Sequence, residues 1–148
     1  MTVAEALRRF RKEFRLTQKD VADVLEVTPQ AYQVYEVIAN ATVDFNNLET
    51  WEIAEICGFD EEQEEILEAA IEAGFGIKDA VTRVTNGEFE LEYDITTYED
   101  LGYYFAGILE LPAFAFDFFD FERFGEEMAK QKGYDEEGYL TSYGWLSF

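Results

Sequence analysis

Histidine is absent from this 148-residue chain and cysteine occurs once, at Cys57, so the usual nucleophile–base pairs have no members. What remains is carboxylate: 33 Asp and Glu against 11 Lys and Arg, a net charge of -22. Two carboxylates can cleave a glycosidic bond, but a chain this acidic offers such pairs everywhere, and they select no reaction. Asp135-Glu136-Glu137-Gly138 lacks the alternating ligands of a calcium loop, and no glycine-rich phosphate loop occurs. A single cysteine excludes an internal disulfide and a thiolate zinc cluster, and its helical spacing from Ile53 and Ile56 reads as burial. The expectation is no enzyme, no metal and no cofactor. The chemistry left is electrostatic: a negative surface for a cationic partner.

The segment PAFAFDFFDFERFGEEM (Pro112–Met128) threads six phenylalanines with five carboxylates and one cation. Aromatics make up 17% of the chain and apolar residues 48%, so this is a folding sequence rather than an acidic tail. Solubility alone asks for a net charge of about 2–8 in magnitude, and the excess works against folding through self-repulsion. Such a chain avoids nucleic acid and anionic membranes. MTVAEALRRF has no apolar core of signal-peptide length, and no apolar run approaches the ~18 residues of a membrane span, so a cytoplasmic protein is expected.

Charge divides the chain at Gly58-Phe59-Asp60. Residues 1–59 hold six bases and ten acids (-4), residues 60–148 five bases and 23 acids (-18), giving expected domains of 1–59 and 60–148. The first reads as helices: about 3–14 with Val3, Leu7, Phe10 and Phe14 on one face, then helices capped by Thr17 and by Thr28 with Pro29 following. A loop at 39–47 precedes a fourth helix at 48–57. The second opens with a helix at 60–73 that Asp60 can cap, then a shorter one at 77–85 and the turn Asn86-Gly87. EFELEY (Glu88–Tyr93) alternates, setting Phe89, Leu91 and Tyr93 against Glu88, Glu90 and Glu92, a half-buried strand with a carboxylate face. Thr97 and Asp120 cap further helices, and 138–141 with 145–148 form a pair of short strands. The class is α+β, an all-α part followed by an acidic part with a small antiparallel sheet.

LTQKDVADVLEVTPQAYQVYE (Leu16–Glu36) resembles the helix-turn-helix of the XRE, or phage-repressor, family through Thr17, Gln18, Val21, Ala22, Leu25, Val27, Tyr32 and Glu36. Residues 48–59 resemble that family's next helix. The resemblance spans about 3–59 and implies a third helix in the DNA major groove. Gln30 and Gln33 then become readers of adenine, Gln18 a phosphate contact, and basic residues such as Arg11 and Arg15 phosphate neutralisers. The departures are large. The turn glycine is Glu26, Pro29 cannot donate, Val34 replaces a polar reader, and Thr28–Glu36 contains no Lys or Arg.

From about residue 65 the chain is similar to the C-terminal part of the ArdA antirestriction proteins. The resemblance rests on TYEDLGYYF (97–105), Glu110-Leu-Pro112, FFDFERFGEEM (118–128) and GYLTSYGWLSF (138–148). Glu126 stands where that family has arginine, and the helix-turn-helix-like module takes the place expected for the family's N-terminal domain. The resemblance implies an elongated, usually dimeric DNA mimic that occupies the DNA groove of type I restriction-modification enzymes.

Charge supports such a role separately. Duplex DNA carries one charge per ~1.7 Å, so 18 charges match about nine base pairs. In this reading Phe118, Phe121 and Phe124 form a buried spine from which Asp117, Asp120, Glu122, Glu126 and Glu127 project. Glu88, Glu90, Glu92 and Asp94 of the strand region, Glu99 and Asp100 of the 97–110 helix, and Asp135, Glu136 and Glu137 near the end complete the phosphate-like set. The expected partner is a cationic DNA-binding protein and the expected state a homodimer, with nucleic acid reached only through the N-terminal module and no membrane. The alternative is an XRE-type transcriptional regulator whose acidic part serves dimerisation or partner binding.

Overall fold

A short polar side chain at a helix start can accept one of the backbone N–H groups that the first turn leaves over. In the computed structural model, which describes residues 3–39 and 44–148, five residues read as caps do this. Thr17, Thr97 and Asp120 accept from the N–H groups of Asp20, Asp100 and Arg123. Thr28 accepts from Ala31 and Asp60 from Gln63. The helices are α1 (Val3–Glu13), α2 (Gln18–Leu25), α3 (Pro29–Ala39), α4 (Thr50–Cys57), α5 (Glu61–Glu72), α6 (Ile77–Thr85), α7 (Tyr98–Ile108) and α8 (Phe121–Tyr134). The strands β1 (Glu90–Glu92), β2 (Gly138–Thr141) and β3 (Gly144–Ser147) form one antiparallel sheet in the order β1-β3-β2. The class is α+β. Among the described residues no helix is long and apolar enough to cross a membrane.

The chain separates into two compact units, but not at the charge break near residue 59. Unit 1 is residues 1–67 with 76–88, and unit 2 is 68–75 with 89–148. The physical reason is burial in α6: Ala80, Val81 and Val84 are withdrawn from solvent, and α6 packs on α3 and on the 3-10 turn Phe45–Asn47. The acid-rich start of α5 also falls in unit 1. The charge contrast therefore narrows: unit 1 holds eight cations and 17 acids, unit 2 three cations and 16 acids.

Unit 1 is built around α3, which packs against α1, α2, α4 and α6. Val21, Ala22 and Tyr32 form a buried cluster, with Leu7, Leu16, Val27 and Tyr35 around it. Cys57 is buried as expected, and desolvation pushes its thiol up to about 11. The inward face expected of α1 is only partly realised. Leu7 turns in, whereas Phe10 and Phe14 meet each other at a tilt with centroids 4.6 Å apart and remain 49% and 59% exposed. The chain leaves the helix after Glu13 and Arg15 takes a left-handed φ of 55°, so Phe14 has no helical turn to carry it inward. The Val3 side chain and residues 40–43 of the 39–47 loop lie outside the described residues.

Unit 2 joins α7 and α8 to the sheet. A Cβ on Gly125 would lie 1.7 Å from the Tyr98 carbonyl oxygen, and one on Gly102 1.8 Å from that of Phe121, so the two helices meet backbone to backbone. Ile95, Leu101 and Trp145 are buried beside Phe105, Ala129 and Leu140. Phe75 meets Phe89 and Phe148 edge-on at 5.2 and 5.1 Å. The strand expected at 88–93 shortens to β1 at 90–92: Phe89 just before it is buried, Glu88, Glu90 and Glu92 are exposed, and Leu91 is half-buried. The alternation ends at Tyr93, which is 44% exposed because pairing to β3 stops at Glu92 opposite Trp145.

The expected spine Phe118–Phe121–Phe124 needs correction. Phe121 is buried and Phe124 half-buried, but Phe118 is 89% exposed. After Pro112 the chain forms a 3-10 segment, Ala113–Phe118, and its tighter turn changes which phenylalanines point inward. Phe116 and Phe119 reach Phe121, at 5.5 and 5.0 Å, in place of Phe118.

Candidate functional site

In unit 1 the polar side chains named as DNA contacts are engaged internally. Arg11 donates through Nε and Nη2 to the two carboxylate oxygens of Glu36 at 2.6 and 3.0 Å, and Gln18 Nε2 donates to the same carboxylate at 2.9 Å. The Glu36 side chain is 9% exposed. Burial pushes its carboxyl up, and hydrogen bonds from Arg11 and Gln18 overcome this, leaving it below the ordinary carboxylate value. The same contact with Glu36 raises Arg11. Gln30 Nε2 donates to the Gly58 carbonyl at 2.8 Å, and Gln33 Nε2 to the Ile56 carbonyl at 2.8 Å. Arg15, just beyond α1, is exposed.

In unit 2 the carboxylates divide by task. Asp120 is a helix cap and Asp100 completes the capping box of Thr97; the Thr97 hydroxyl contact, then the Thr96 and Thr97 N–H groups, hold the Asp100 carboxyl below its usual range. Lys130 Nζ lies 3.3 Å from Glu126 and 3.5 Å from Glu127, and Lys132 pairs with Glu137. Asp135 accepts from Gln131 at 2.8 Å. The rest of the set is presented outward: Glu90 and Glu92 on the edge strand, Asp94 after it, then Glu99, Asp117, Glu122 and Glu136, all exposed. Glu88, also exposed, falls in unit 1.

Folding brings together a group that the sequence does not reveal. Glu72, at the end of α5, accepts from the Ser142 N–H at 2.8 Å and the Ser142 hydroxyl at 2.6 Å. With Glu99 and Glu122 it lines an open cleft of about 510 Å³, walled also by Thr96, Thr97 and Tyr98. Glu72 and Ser142 are 70 residues apart, and no periodicity links them. Among the described residues, no group of three or more His, Cys, Asp or Glu is placed to hold a metal ion. What the cleft can do is receive a cationic side chain among three carboxylates, one of them already fixed in position.

Three glutamates stand where the backbone disfavours them. Glu26, Glu110 and Glu136 have φ of 57°, 52° and 56°, each just after α2, α7 and α8 respectively. Left-handed backbone costs a residue with a Cβ about 1–2 kcal/mol, and a negative charge at a helix C-terminus costs about 0.3–1 kcal/mol more. Glycine avoids both. From Val84 to Glu122 the chain has ten acids and no Lys or Arg. No family model, no curated protein and no solved structure matches this chain.

Proposed function

We propose that the chain is a DNA-mimic protein of the antirestriction type, binding the cationic DNA groove of a DNA-handling enzyme through unit 2. In this reading unit 1 is an XRE-type helix-turn-helix module retained for packing or docking, and unit 2 an acidic ArdA-like domain. The protein catalyses nothing and works in the cytoplasm. A type I restriction-modification enzyme is the target that the sequence resemblance suggests.

One observation carries the reading: carboxylates persist at positions where they weaken the fold. Glu110 and Glu136 are opposed by both backbone strain and helix polarity, in a unit with three cations against 16 acids. A solvated face has no need of charge at such positions. Thirteen net charges equal those on about seven base pairs of duplex. The regulator reading has no matching support, because Gln18, Gln30 and Gln33 are hydrogen-bonded within unit 1 rather than available to bases.

The test is competition. Added to a type I restriction-modification enzyme and its DNA, the protein should suppress modification and cleavage at low salt. The effect should fade steeply as salt displaces the ion-exchange advantage. Undiminished activity at low salt with the protein in excess would sink this target class.

A further inference from the structure

A lysine in an acid-rich unit can keep its ammonium in water beside exposed carboxylates, as Lys130 does between Glu126 and Glu127. Lys132 does otherwise. Its side chain is only 30% exposed, and its ammonium pairs with Glu137 and lies 5.9 Å from the centroid of the Phe105 ring. Unit 2 has three cations in all, the third being Arg123. Beside the Lys132 ammonium opens a cavity of about 320 Å³, walled by Tyr104, Phe105, Trp145 and Phe148 and by Lys132 and Glu137 themselves. The rings brace one another: Tyr104 meets Phe105 edge-on at 5.2 Å, and Phe105 meets Trp145 edge-on at 5.9 Å. Trp145 is buried with Ile95 and Leu101, so this wall of the cavity is part of the core and keeps its shape.

Aromatic walls with a carboxylate among them are the chemistry that recognises an organic cation, because ring faces attract positive charge and exclude the water that would screen it. Lys132 shows that an ammonium is accepted at this place. It leaves the cavity open, and its flexible four-carbon stem lets it swing out to solvent. We propose that this pocket binds a cationic side chain, a lysine or arginine of the protein whose DNA groove unit 2 occupies, and that Lys132 is the internal stand-in for it. The incoming cation takes the place on Phe105 and Glu137, and Lys132 moves outward into the field of a unit with 16 acids. Charge is returned to the surface as it is taken up in the pocket, and recognition gains an aromatic component that a phosphate backbone lacks. The identity of the partner rests on the mimicry reading; the pocket and its preference for cations do not.

The probe for the pocket is tetramethylammonium, read by Trp145 fluorescence of the full chain in a W51F background. Sodium at equal ionic strength and neutral tert-butanol are the controls. Removing the stand-in opens the site, so K132A should bind tetramethylammonium about tenfold more tightly than its parent. Adding E137Q should cancel most of that gain. K130A takes the same charge from unit 2 and should bind as the parent does. Near-UV circular dichroism reports whether K132A keeps its packing, and K132Q replaces it if it does not. The proposal is overturned if tetramethylammonium acts on K132A no better than sodium, if tert-butanol binds equally well, or if K130A gains as much as K132A. The partner is tested separately, by competition with DNA for a type I restriction-modification enzyme. Y104A alters no charge, so a purely electrostatic surface would not register it, whereas loss of a pocket wall should weaken competition about two- to fivefold. Unchanged competition by Y104A removes that enzyme's lysine or arginine as the occupant. A wild type that fails to compete removes the partner together with the mimicry reading, while the tetramethylammonium titration still decides the pocket.

Discussion

Gln30 and Gln33 of unit 1 each end on a main-chain carbonyl of their own unit, whereas Glu90, Glu92 and Asp94 of unit 2 end in solvent. Both units are acidic, at eight cations to 17 acids and three to 16. They differ in what their polar groups do. In unit 1 even the most buried charge, Glu36, has Arg11 and Gln18 on it, so that charge belongs to the fold. In unit 2 caps and lysine pairs account for part of the set, and a further group of carboxylates bears on nothing the fold requires. Net charge alone does not separate the two units, and unit 1 exposes carboxylates too, among them Glu13, Asp23, Glu26, Glu55, Glu61 and Glu62; what unit 1 adds is a buried charge, Glu36, that the fold itself pairs.

The largest expected effect tests whether unit 2 is the stiff support that such a surface needs. Gly125→Ala forces a methyl onto the Tyr98 carbonyl, where neither helix backbone can yield cheaply. It should cost about 3–5 kcal/mol in denaturant unfolding and abolish competition with DNA together with the fold. A loss below about 1 kcal/mol would mean that α7 and α8 approach less closely than described.

The matching experiment in unit 1 is Glu36→Ala. It leaves Arg11 charged and half-withdrawn from water without its carboxylate, which should cost about 2–3 kcal/mol at neutral pH, less than full burial would exact. The pH dependence has a definite sign. The folded Glu36 carboxyl titrates below its ordinary value of 4.5, so its stabilisation is present above that value and lost as pH falls through the folded one. The variant should therefore lose less stability between neutral and acid pH than the wild type. Competition with DNA should survive wherever unit 1 remains folded. If competition disappears while the fold persists, the division of labour between the units is wrong.

The sequence was informative where physics is local. Thr17, Thr28, Asp60, Thr97 and Asp120 announce helices because a cap works within three residues, and each accepts the N–H its position implies. Phe89 was legible as buried because a strand's period is two. Failures came where distant chain decides. Nothing local says that α6 belongs with α3, that Glu72 meets Ser142, or that Gln30 will end on Gly58. Phe118 failed for a different reason. In a phenylalanine run every register looks apolar, and a 3-10 segment in place of a helix rotated the wrong ring outward. The candidate site is legible as composition but not as arrangement: acids are countable, whereas their division into caps, ion pairs and solvent-facing groups appears only after folding.

The smallest effect separates the units most cleanly, because the same substitution can be made in each. Glu26→Gly in unit 1 and Glu136→Gly in unit 2 both relieve a left-handed φ and remove a charge from beyond a helix C-terminus. Relief of about 1–2 kcal/mol of strain outweighs the roughly 0.4–1 kcal/mol of extra chain entropy that glycine brings to the unfolded state. Both variants should gain about 0.5–1 kcal/mol in stability, read as a higher denaturant midpoint. Their effects on binding should diverge. One lost surface contact is worth about 0.2–1 kcal/mol, so Glu136→Gly should weaken competition with DNA by about two- to fivefold, and Glu26→Gly should leave it unchanged. Equal weakening by both would extend the anionic surface into unit 1. No weakening by either, with stability raised in both, would leave the strained glutamate of unit 2 without the role that its cost implies.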